Sequence, residues 1–217
     1  MQISEGMIYL FDINFMEILY RLPAVFIGFS FHEFAHALVA YRMGDDTAKI
    51  NGRLTLDPTA HIDPIGILML ILFKFGWAKP VPINPGNFKN RKQGIILVSL
   101  AGPMMNFIIA IISLLIYGLV YFKFGIENVI FDRIMINIYF INIGLGIFNL
   151  IPLPPLDGSK ILAGILPVKL EYKFYQYEQY SYILLLILIL TNVIDYILSP
   201  MFYYAEKLIS SIVSLFF

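Results

Sequence analysis

The sequence predicts an all-α polytopic membrane protein, a bundle of about four transmembrane helices with a re-entrant or interfacial segment and a small cytosolic β-hairpin. Hydrophobic residues make up 59% of the 217 residues and charged residues only 14%, and the mean hydropathy is +0.78. Soluble domains rarely have this composition. The apolar residues also form several long runs, separated by loops too short to build a core of their own. We therefore predict a single membrane domain over residues 1–217.

Charge and cysteine content narrow the classes of partner and site. The formal net charge is zero, so nothing in the overall charge indicates nucleic acid binding. Cysteine is absent, which excludes disulfides and thiolate metal sites and leaves histidine and carboxylates as metal ligands. Glu5 and Asp12 stand where a cleavable signal peptide would carry a basic segment, so none is predicted.

The first apolar stretch runs from Ile13 to Met43, and as a continuous helix it would be roughly 45 Å long. It is long enough to cross a bilayer and emerge before Gly44. The following segment, residues 47–56, contains Asn51-Gly52, a dipeptide that favours a tight type I′ turn between two strands. A small β-hairpin is therefore predicted after the helix.

The remaining apolar runs differ in length. Residues 65–75 are too few to span as a helix and are followed by a proline-rich segment, which favours a re-entrant or interfacial element. Three later runs have the length of transmembrane helices: 95–122, 134–150 and 182–197, the last of which could extend upstream. The tail, residues 201–217, could lie along the membrane interface or pack against the bundle.

Basic residues indicate the orientation. One loop, which contains no acidic residue, and a second loop on the same side of the predicted bundle should both be cytoplasmic. Their basic residues are Lys79, Lys89, Arg91 and Lys92 in the first loop, and Lys160, Lys169 and Lys173 in the second. The cytosolic end of the first helix is then the end that carries its two histidines.

The strongest motif in the chain is HExxH at His32, Glu33 and His36. Two histidines one helical turn apart can reach the same metal ion, while Glu33 is rotated by about a quarter turn and can address a metal-bound water. The alternative is two histidines that satisfy polar groups inside a bundle. That alternative is less favoured because three ionisable side chains within five residues of a membrane helix are costly unless paired or metal-bound.

The third ligand is not fixed by the motif. Val39 and Arg42 stand where the metzincin extension requires a glycine and a third histidine. His61 is the other histidine in the chain, but it lies in a turn-rich loop and reads more simply as a loop residue.

Asp157 is a better candidate, because it follows Pro152, Pro154 and Pro155, which must break a membrane helix. Non-helical backbone at membrane depth is tolerated mainly where it lines a cavity. Asp157 could equally be the N-cap of the next helix.

Together these motifs resemble the site-2 protease (M50) family of intramembrane zinc metalloproteases, in particular its compact prokaryotic branch without a PDZ domain. The resemblance covers residues 31–167. It rests on five segments: HEFAH from His32, GRLTLDPTAHIDPIG from Gly52, GWAKPVPINP from Gly76, AGPMMN from Ala101, and NLIPLPPLDG ending at Gly158.

The resemblance implies a site as well as a fold. His32, His36 and Asp157 would hold one Zn²⁺ ion, and Glu33 would be the catalytic base that acts on zinc-bound water. Asn149 would lie beside the site and hydrogen-bond the substrate backbone. Gly102-Pro103 and Asn106 would shape the neighbouring helix; a proline kink and an interhelical amide hydrogen bond are alternatives that fit these residues equally well.

The implied function is hydrolysis of peptide bonds in single-span membrane proteins or transmembrane peptides, near the cytosolic side of a prokaryotic cell membrane. The expected partners are therefore such substrates and the lipid bilayer, without nucleic acid. Two alternatives remain: a catalytically silent chaperone or regulator of the same fold, which the intact Glu33 disfavours, and a metal or ion transporter. A transporter of this kind would be expected to repeat its broken helix in a second half, and the sequence shows one such break.

Overall fold

The computed structural model describes residues 15–73 and 76–217. Glu5, Asp12 and the start of the first predicted helix at Ile13 lie outside the described residues. The helices are α1 (Phe15–Arg42), α2 (Thr47–Ile50), α3 (Pro58–His61), α4 (Pro64–Phe73), α5 (Arg91–Gly118), α6 (Val129–Asn149), α7 (Asp157–Ile165), α8 (Val168–Gln176), α9 (Glu178–Leu190) and α10 (Val193–Val213). A π-helical turn (Leu119–Lys123) extends α5, and short 3₁₀ turns lie at Pro85–Asn87 and Ser214–Phe216.

Three of these segments are long and apolar enough to cross a membrane: Met16–Arg42, Arg91–Lys123 and Val129–Asn149. The helices α9 and α10 are bent by 79° relative to each other at the break between them, and together they would form a fourth span if the bent pair is taken as a single span. The prediction of a polytopic helical membrane protein is therefore confirmed. The three most extensive contacts between elements join α1, α5 and α6 in pairs, so these three helices form the centre of the bundle.

The last predicted span, residues 182–197, is wrong as a continuous helix. The chain breaks after Leu190, and Asn192 adopts a left-handed backbone with φ of 57°. Asparagine tolerates this conformation better than most residues, because its short polar side chain can bond locally. The second helix of the pair, α10, then continues without interruption through most of the C-terminal tail.

The tail packs against the bundle, which decides between the two placements that the sequence left open. Ile209 and Val213 of α10 are buried in one cluster with Ala110 of α5 and with Tyr139 and Ile143 of α6. Burying these side chains stabilises α10 at the side of α5 and α6, since each fully buried large aliphatic side chain contributes about 1.5–3 kcal/mol.

The predicted β-hairpin at residues 47–56 is wrong, because the described part of this segment contains no strand. Thr47–Ile50 forms a single helical turn, α2, and Gly52 ends it with φ of +66°. An Asn-Gly pair serves a helix end as readily as a hairpin, since both need a residue with positive φ. The helix end is favoured over the hairpin turn by Ala48, which is fully buried against Ala37 and Val81.

The predicted re-entrant or interfacial segment corresponds to α4, a helix of ten residues. At 1.5 Å per residue it is about 15 Å long, half of what a span requires. The chain on either side of α4 is joined by a β-bridge between Ile62 and Ala78, and the N–H of Lys79 donates to the carbonyl of His61 at 2.8 Å. The two ends of the segment therefore lie next to each other.

Candidate metal centre

Three potential metal ligands converge from two distant parts of the chain. The Nε2 atoms of His32 and His36 lie 3.1 and 3.0 Å from Oδ2 of Asp157, and 2.9 Å from one another. All three residues are buried, and their ligand atoms lie within 4.8 Å of one another. Among the described residues this is the one cluster of His, Asp and Glu side chains that could hold a metal ion.

Hydrogen bonds on the far side of each imidazole set its tautomer. Nδ1 of His36 lies 2.7 Å from the carbonyl oxygen of Val98, which can only accept, so Nδ1 carries the proton. Nδ1 of His32 lies 2.6 Å from Oδ1 of Asn106. The amide of Asn106 donates to the Gly28 carbonyl at 3.1 Å, so its oxygen is left to accept from His32. Both Nε2 atoms therefore present lone pairs to the centre of the cluster.

This arrangement fits a cation. Two imidazole lone pairs and a carboxylate oxygen about 3 Å apart repel one another, because no proton is left between the two rings. A divalent ion among them removes that repulsion, and two histidines with one carboxylate are a ligand set that zinc takes in catalytic sites. The residues present thus fit Zn²⁺ by the chemistry of their donor atoms.

The break after α6 brings Asp157 to the histidines. The helix α6 ends at Asn149, as the three prolines predicted, and α7 begins at Asp157 itself. The N-cap position is Leu156, and no side-chain hydrogen bond caps α7, so the carboxylate of Asp157 does not act as the N-cap. Its Oδ1 instead accepts from Nζ of Lys160 at 3.1 Å, and its Oδ2 faces the imidazoles.

Two glycines permit this close approach. A Cβ on Gly102 of α5 would lie 2.5 Å from Nε2 of both histidines, inside the space that an ion between them would take. A Cβ on Gly158 would lie 2.2 Å from the carbonyl oxygen of Leu150. Alanine at either position therefore requires the neighbouring atoms to move, since atoms in ordinary contact are about 3.5–4.0 Å apart.

Glu33 lies in the same cavity as the three potential ligands. Its Oε2 accepts a hydrogen bond from the backbone N–H of Val81 at 2.8 Å. No hydrogen bond within the described residues engages Oε1. One oxygen of the carboxylate is thus fixed, while the other can accept a proton.

The loop that supplies the Val81 N–H is anchored by Asp45, which is fully buried. Asp45 accepts hydrogen bonds from the backbone N–H of Asn84 at 2.7 Å, from the amide of Asn87 at 2.8 Å, and from the N–H and hydroxyl of Thr47. Burial opposes the charged form of this carboxylate, but these hydrogen bonds outweigh burial and lower the pKa of Asp45.

Asn149 also lines the cavity that contains the metal cluster, at the last position of α6. Its amide donates to the carbonyl of Leu145 in its own helix at 3.0 Å. Its placement is compatible with the predicted contact to substrate, and that contact stays a prediction. The cavity has a volume of about 1040 Å³.

His61 is not part of the metal cluster. It is fully buried at the last position of α3, where its Nε2 lies 2.8 Å from the carbonyl oxygen of Thr55. The interpretation of His61 as a loop residue is therefore wrong in its local structure, because His61 ends the helical turn α3, and it is Asp157 that lies beside the two histidines.

Sequence reasoning missed several groups that hold the centre in place. The carbonyl of Val98 and the N–H of Val81 are backbone atoms, which no residue type reveals. The role of Asn142 had a visible signal, since an amide in the middle of an apolar helix requires a partner. Asn142 is fully buried and accepts from the amide of Asn106 at 2.9 Å, so it completes a chain of hydrogen bonds that ends at His32.

Comparisons with known proteins identify relatives of this chain. The model of peptidase family M50 matches residues 122–191. The "Putative zinc metalloprotease YwhC" of Bacillus subtilis is 40% identical over 187 residues, which cover 84% of this chain and 85% of that protein. The "Putative zinc metalloprotease Rip2" of Mycolicibacterium smegmatis is 28% identical over 76% of this chain and 64% of that protein. The "Zinc metalloprotease MJ0392" of Methanocaldococcus jannaschii is 30% identical over 68% of this chain, which spans 34% of that protein. No solved structure matches significantly.

Proposed function

Because the chain belongs to the M50 peptidase family and its cofactor is Zn²⁺, we propose that it is an intramembrane endopeptidase. Its substrates are transmembrane segments, and it hydrolyses their peptide bonds near the cytosolic side of the bilayer. The observation that carries this proposal is the convergence of His32, His36 and Asp157 in a cavity that is also lined by Glu33.

In the proposed site, the Nε2 atoms of both histidines and Oδ2 of Asp157 are the three ligands of the zinc ion. Zinc, when bound, supplies Lewis-acid chemistry: it lowers the pKa of water toward neutrality and polarises a peptide carbonyl. Asn106 and the Val98 carbonyl keep the imidazoles in the tautomers that this role requires, through the 2.6 and 2.7 Å hydrogen bonds to Nδ1. Lys160 holds the other oxygen of Asp157 at 3.1 Å.

Glu33 is the proposed general base. The Val81 N–H fixes one oxygen of its carboxylate, so the second oxygen can take a proton from the attacking water and later deliver it to the leaving amine. The carboxylate precedes His36 by less than one helical turn, which keeps it on the cavity side of α1. Asn149 is the proposed hydrogen-bond partner of the substrate backbone beside the site.

A substrate helix must unwind before it can react. Its carbonyl groups are engaged in hydrogen bonds within the helix, and these are hard to replace in a bilayer. Substrates with helix-weakening residues such as glycine or proline near their cytosolic end should therefore be favoured. The irregular segment 150–156 at the end of α6 provides non-helical backbone next to the cavity, where such an unwound segment would be received.

The test of this proposal compares Glu33→Gln with the wild type. The purified protein should contain one zinc ion per chain, and the wild type should cleave transmembrane peptides that the Glu33→Gln variant leaves intact. Glu127→Gln is the matched control, because this exposed glutamate lies outside the cavity. Stoichiometric zinc without Glu33-dependent cleavage would refute the enzymatic proposal and favour a silent chaperone or regulator.

We also propose that the metal centre faces the cytosol of a prokaryotic cell. The two basic loops lie on the same side of the molecule, because Arg91 forms an ion pair with Glu171 at 2.7 Å and Nζ of Lys92 donates to the carbonyl of Leu166. Loops rich in lysine and arginine remain preferentially in the cytosol.

The absence of native cysteine makes this orientation easy to test. A single cysteine placed at Lys169, which is exposed on α8, should resist a membrane-impermeant maleimide in intact cells. A cysteine at Lys123, at the opposite end of α5, should be labelled. The reverse pattern would place the metal centre on the outer side.

A further inference from the structure

The cavity around the metal centre extends far along the bundle as a groove. Arg21, Leu22, Val25 and Phe29 continue the face of α1 on which His32 and His36 lie. From Leu22 to His36 these positions recur at three- or four-residue intervals, and Arg21 lies four residues before Val25, which places them all on one side of the helix. The groove therefore runs along α1 for about three turns beyond the histidines.

A stripe of α6, which packs beside α1, also lines the groove, with Asn137, Ile141, Leu145 and Phe148. Between the metal centre and Asn137, nearly all the residues that line the groove are apolar. A volume of about 1040 Å³ equals roughly nine residues of a helix 10 Å in diameter. The groove thus has the volume and the polarity to receive part of a helical transmembrane segment.

The end of the groove away from the metal centre is charged. Glu17 accepts from Nη1 of Arg133 at 2.6 Å, so these two side chains neutralise each other. Arg21, one turn further along α1 on the groove side, is exposed, and no carboxylate of the described residues lies within ion-pair distance of it. Among the described residues, Arg21 is thus the cation at this end of the groove that has no carboxylate partner. An arginine that faces an intramembrane groove is costly unless a partner compensates it, and the partner it best fits is a carboxylate.

We propose that Arg21 is a specificity-determining residue that binds an acidic side chain of the substrate's transmembrane segment, an inference that rests on the proposed peptidase function. Arg21 precedes His32 by eleven residues on the same helix, which is about 16 Å along the axis.

A substrate that is helical throughout needs about eleven residues to cover this distance. If about three residues next to the scissile bond are extended at 3.3 Å each, about seven residues suffice. The preferred acidic residue lies about 7 to 11 residues from the scissile bond, toward the outer side of the membrane.

A series of single-span peptides tests this subsite. Aspartate, asparagine or lysine is placed at 5, 8, 11 or 15 residues from a mapped cleavage site, and kcat/KM is measured in proteoliposomes at neutral pH. For the wild type we expect aspartate at 8 or 11 residues to raise kcat/KM about tenfold over asparagine, with no preference at 5 or 15 residues. Equal rates for aspartate and asparagine at all four positions would overturn the proposal.

Charge reversal supplies the decisive comparison. Arg21→Glu should prefer lysine over aspartate at 8 or 11 residues, and Arg21→Gln should show no preference. Lys123→Glu is the matched control, because Lys123 is an exposed cation that does not line the groove. It should keep the wild-type preference for aspartate. An Arg21→Glu variant that retains a full complement of zinc and still prefers aspartate would contradict the assignment.

A binding measurement separates failure of this subsite from failure of the proposed function. Peptide affinity is measured with the Glu33→Gln protein, which needs no turnover. Tighter binding of an aspartate peptide than of the matching asparagine peptide, with the difference lost when Arg21→Gln is added, supports the subsite. It does so even if the wild type cleaves none of the peptides, a result that would refute only the peptidase function. Equal affinities for the aspartate and asparagine peptides would refute the subsite. If the wild type also cleaved both peptides, the peptidase function would not be affected by that result.

Discussion

Gly102→Ala tests whether the space between the two histidines is a metal position. A Cβ at residue 102 would lie 2.5 Å from Nε2 of His32 and 2.5 Å from Nε2 of His36. Ordinary contact between nonbonded heavy atoms begins near 3.5 Å, so each ring or the backbone of α5 would have to retreat by about 1 Å. The methyl group would also occupy part of the space in which zinc must come within about 2.0–2.1 Å of both nitrogens.

A shift of this size is several times the tolerance of about 0.2 Å that a zinc site allows in its ligand distances. We therefore expect the zinc affinity of Gly102→Ala to fall at least 100-fold, which corresponds to about 2.8 kcal/mol. The zinc content of the purified variant should drop well below one ion per chain, while its helical circular dichroism remains close to that of the wild type.

The assay is competition with a chromogenic chelator, followed by elemental analysis of the protein. Gly144→Ala is the matched control, since a Cβ at this glycine of α6 would meet no atom within 4 Å. The control should bind zinc as the wild type does. If Gly102→Ala did so as well, the ligand atoms would not surround the ion in the way that the structure indicates.

Three further predictions follow from the neighbours of the site. Asn106→Leu removes the acceptor for Nδ1–H of His32, so zinc affinity should fall about 10- to 100-fold in the same competition assay; unchanged affinity would exclude an orienting role. Gly158→Ala pushes a Cβ against the preceding loop, and displacement of Asp157 should reduce zinc content and lower stability by about 1–3 kcal/mol; wild-type zinc content and Tm would contradict this. Because hydrogen bonds keep the folded pKa of Asp45 below its ordinary value of 3.8, its stabilising contribution is present above about pH 4 and is lost as pH falls through the folded pKa. The Asp45→Asn variant should therefore lose less stability below pH 4 than the wild type, measured as Tm from pH 3 to 7; an equal loss in both proteins would show that Asp45 does not contribute.

The parts of the fold that the sequence predicted are those with a long-range pattern. Runs of apolar residues of sufficient length gave α1, α5 and α6, because crossing a membrane demands length and hydrophobicity and little else. The break before Asp157 was predictable because three prolines within four residues cannot continue a helix.

The elements that were mispredicted contain short sequences that are compatible with more than one local structure. Asn51-Gly52 supports a hairpin turn or a helix end, and the burial of Ala48, which decides between them, depends on residues far away in the chain. The break at Asn192 lies in an apolar run without glycine or proline, so its composition gave no sign of it. Tertiary packing decided the first of these positions, and a single sequence does not display it.

The site shows the same division between pattern and packing. The HExxH spacing identified His32, Glu33 and His36, since the period of a helix alone brings the two histidines together. Asp157 is 121 positions from His36, and local sequence left its role open until the family resemblance was considered. The backbone groups of Val81 and Val98 had no sequence signal at all, because every residue except proline carries the same N–H and C=O.

The hydrogen bond between Lys160 and Asp157 limits the denticity of the aspartate. Oδ1 is engaged by the ammonium group at 3.1 Å, so only Oδ2 is directed toward the histidines. The protein would then offer three atoms to a zinc ion, which favours four or five neighbours in enzymes. An undersaturated ion can exchange its remaining neighbours at each turnover, whereas an ion enclosed by four protein donors serves only as a structural cross-link.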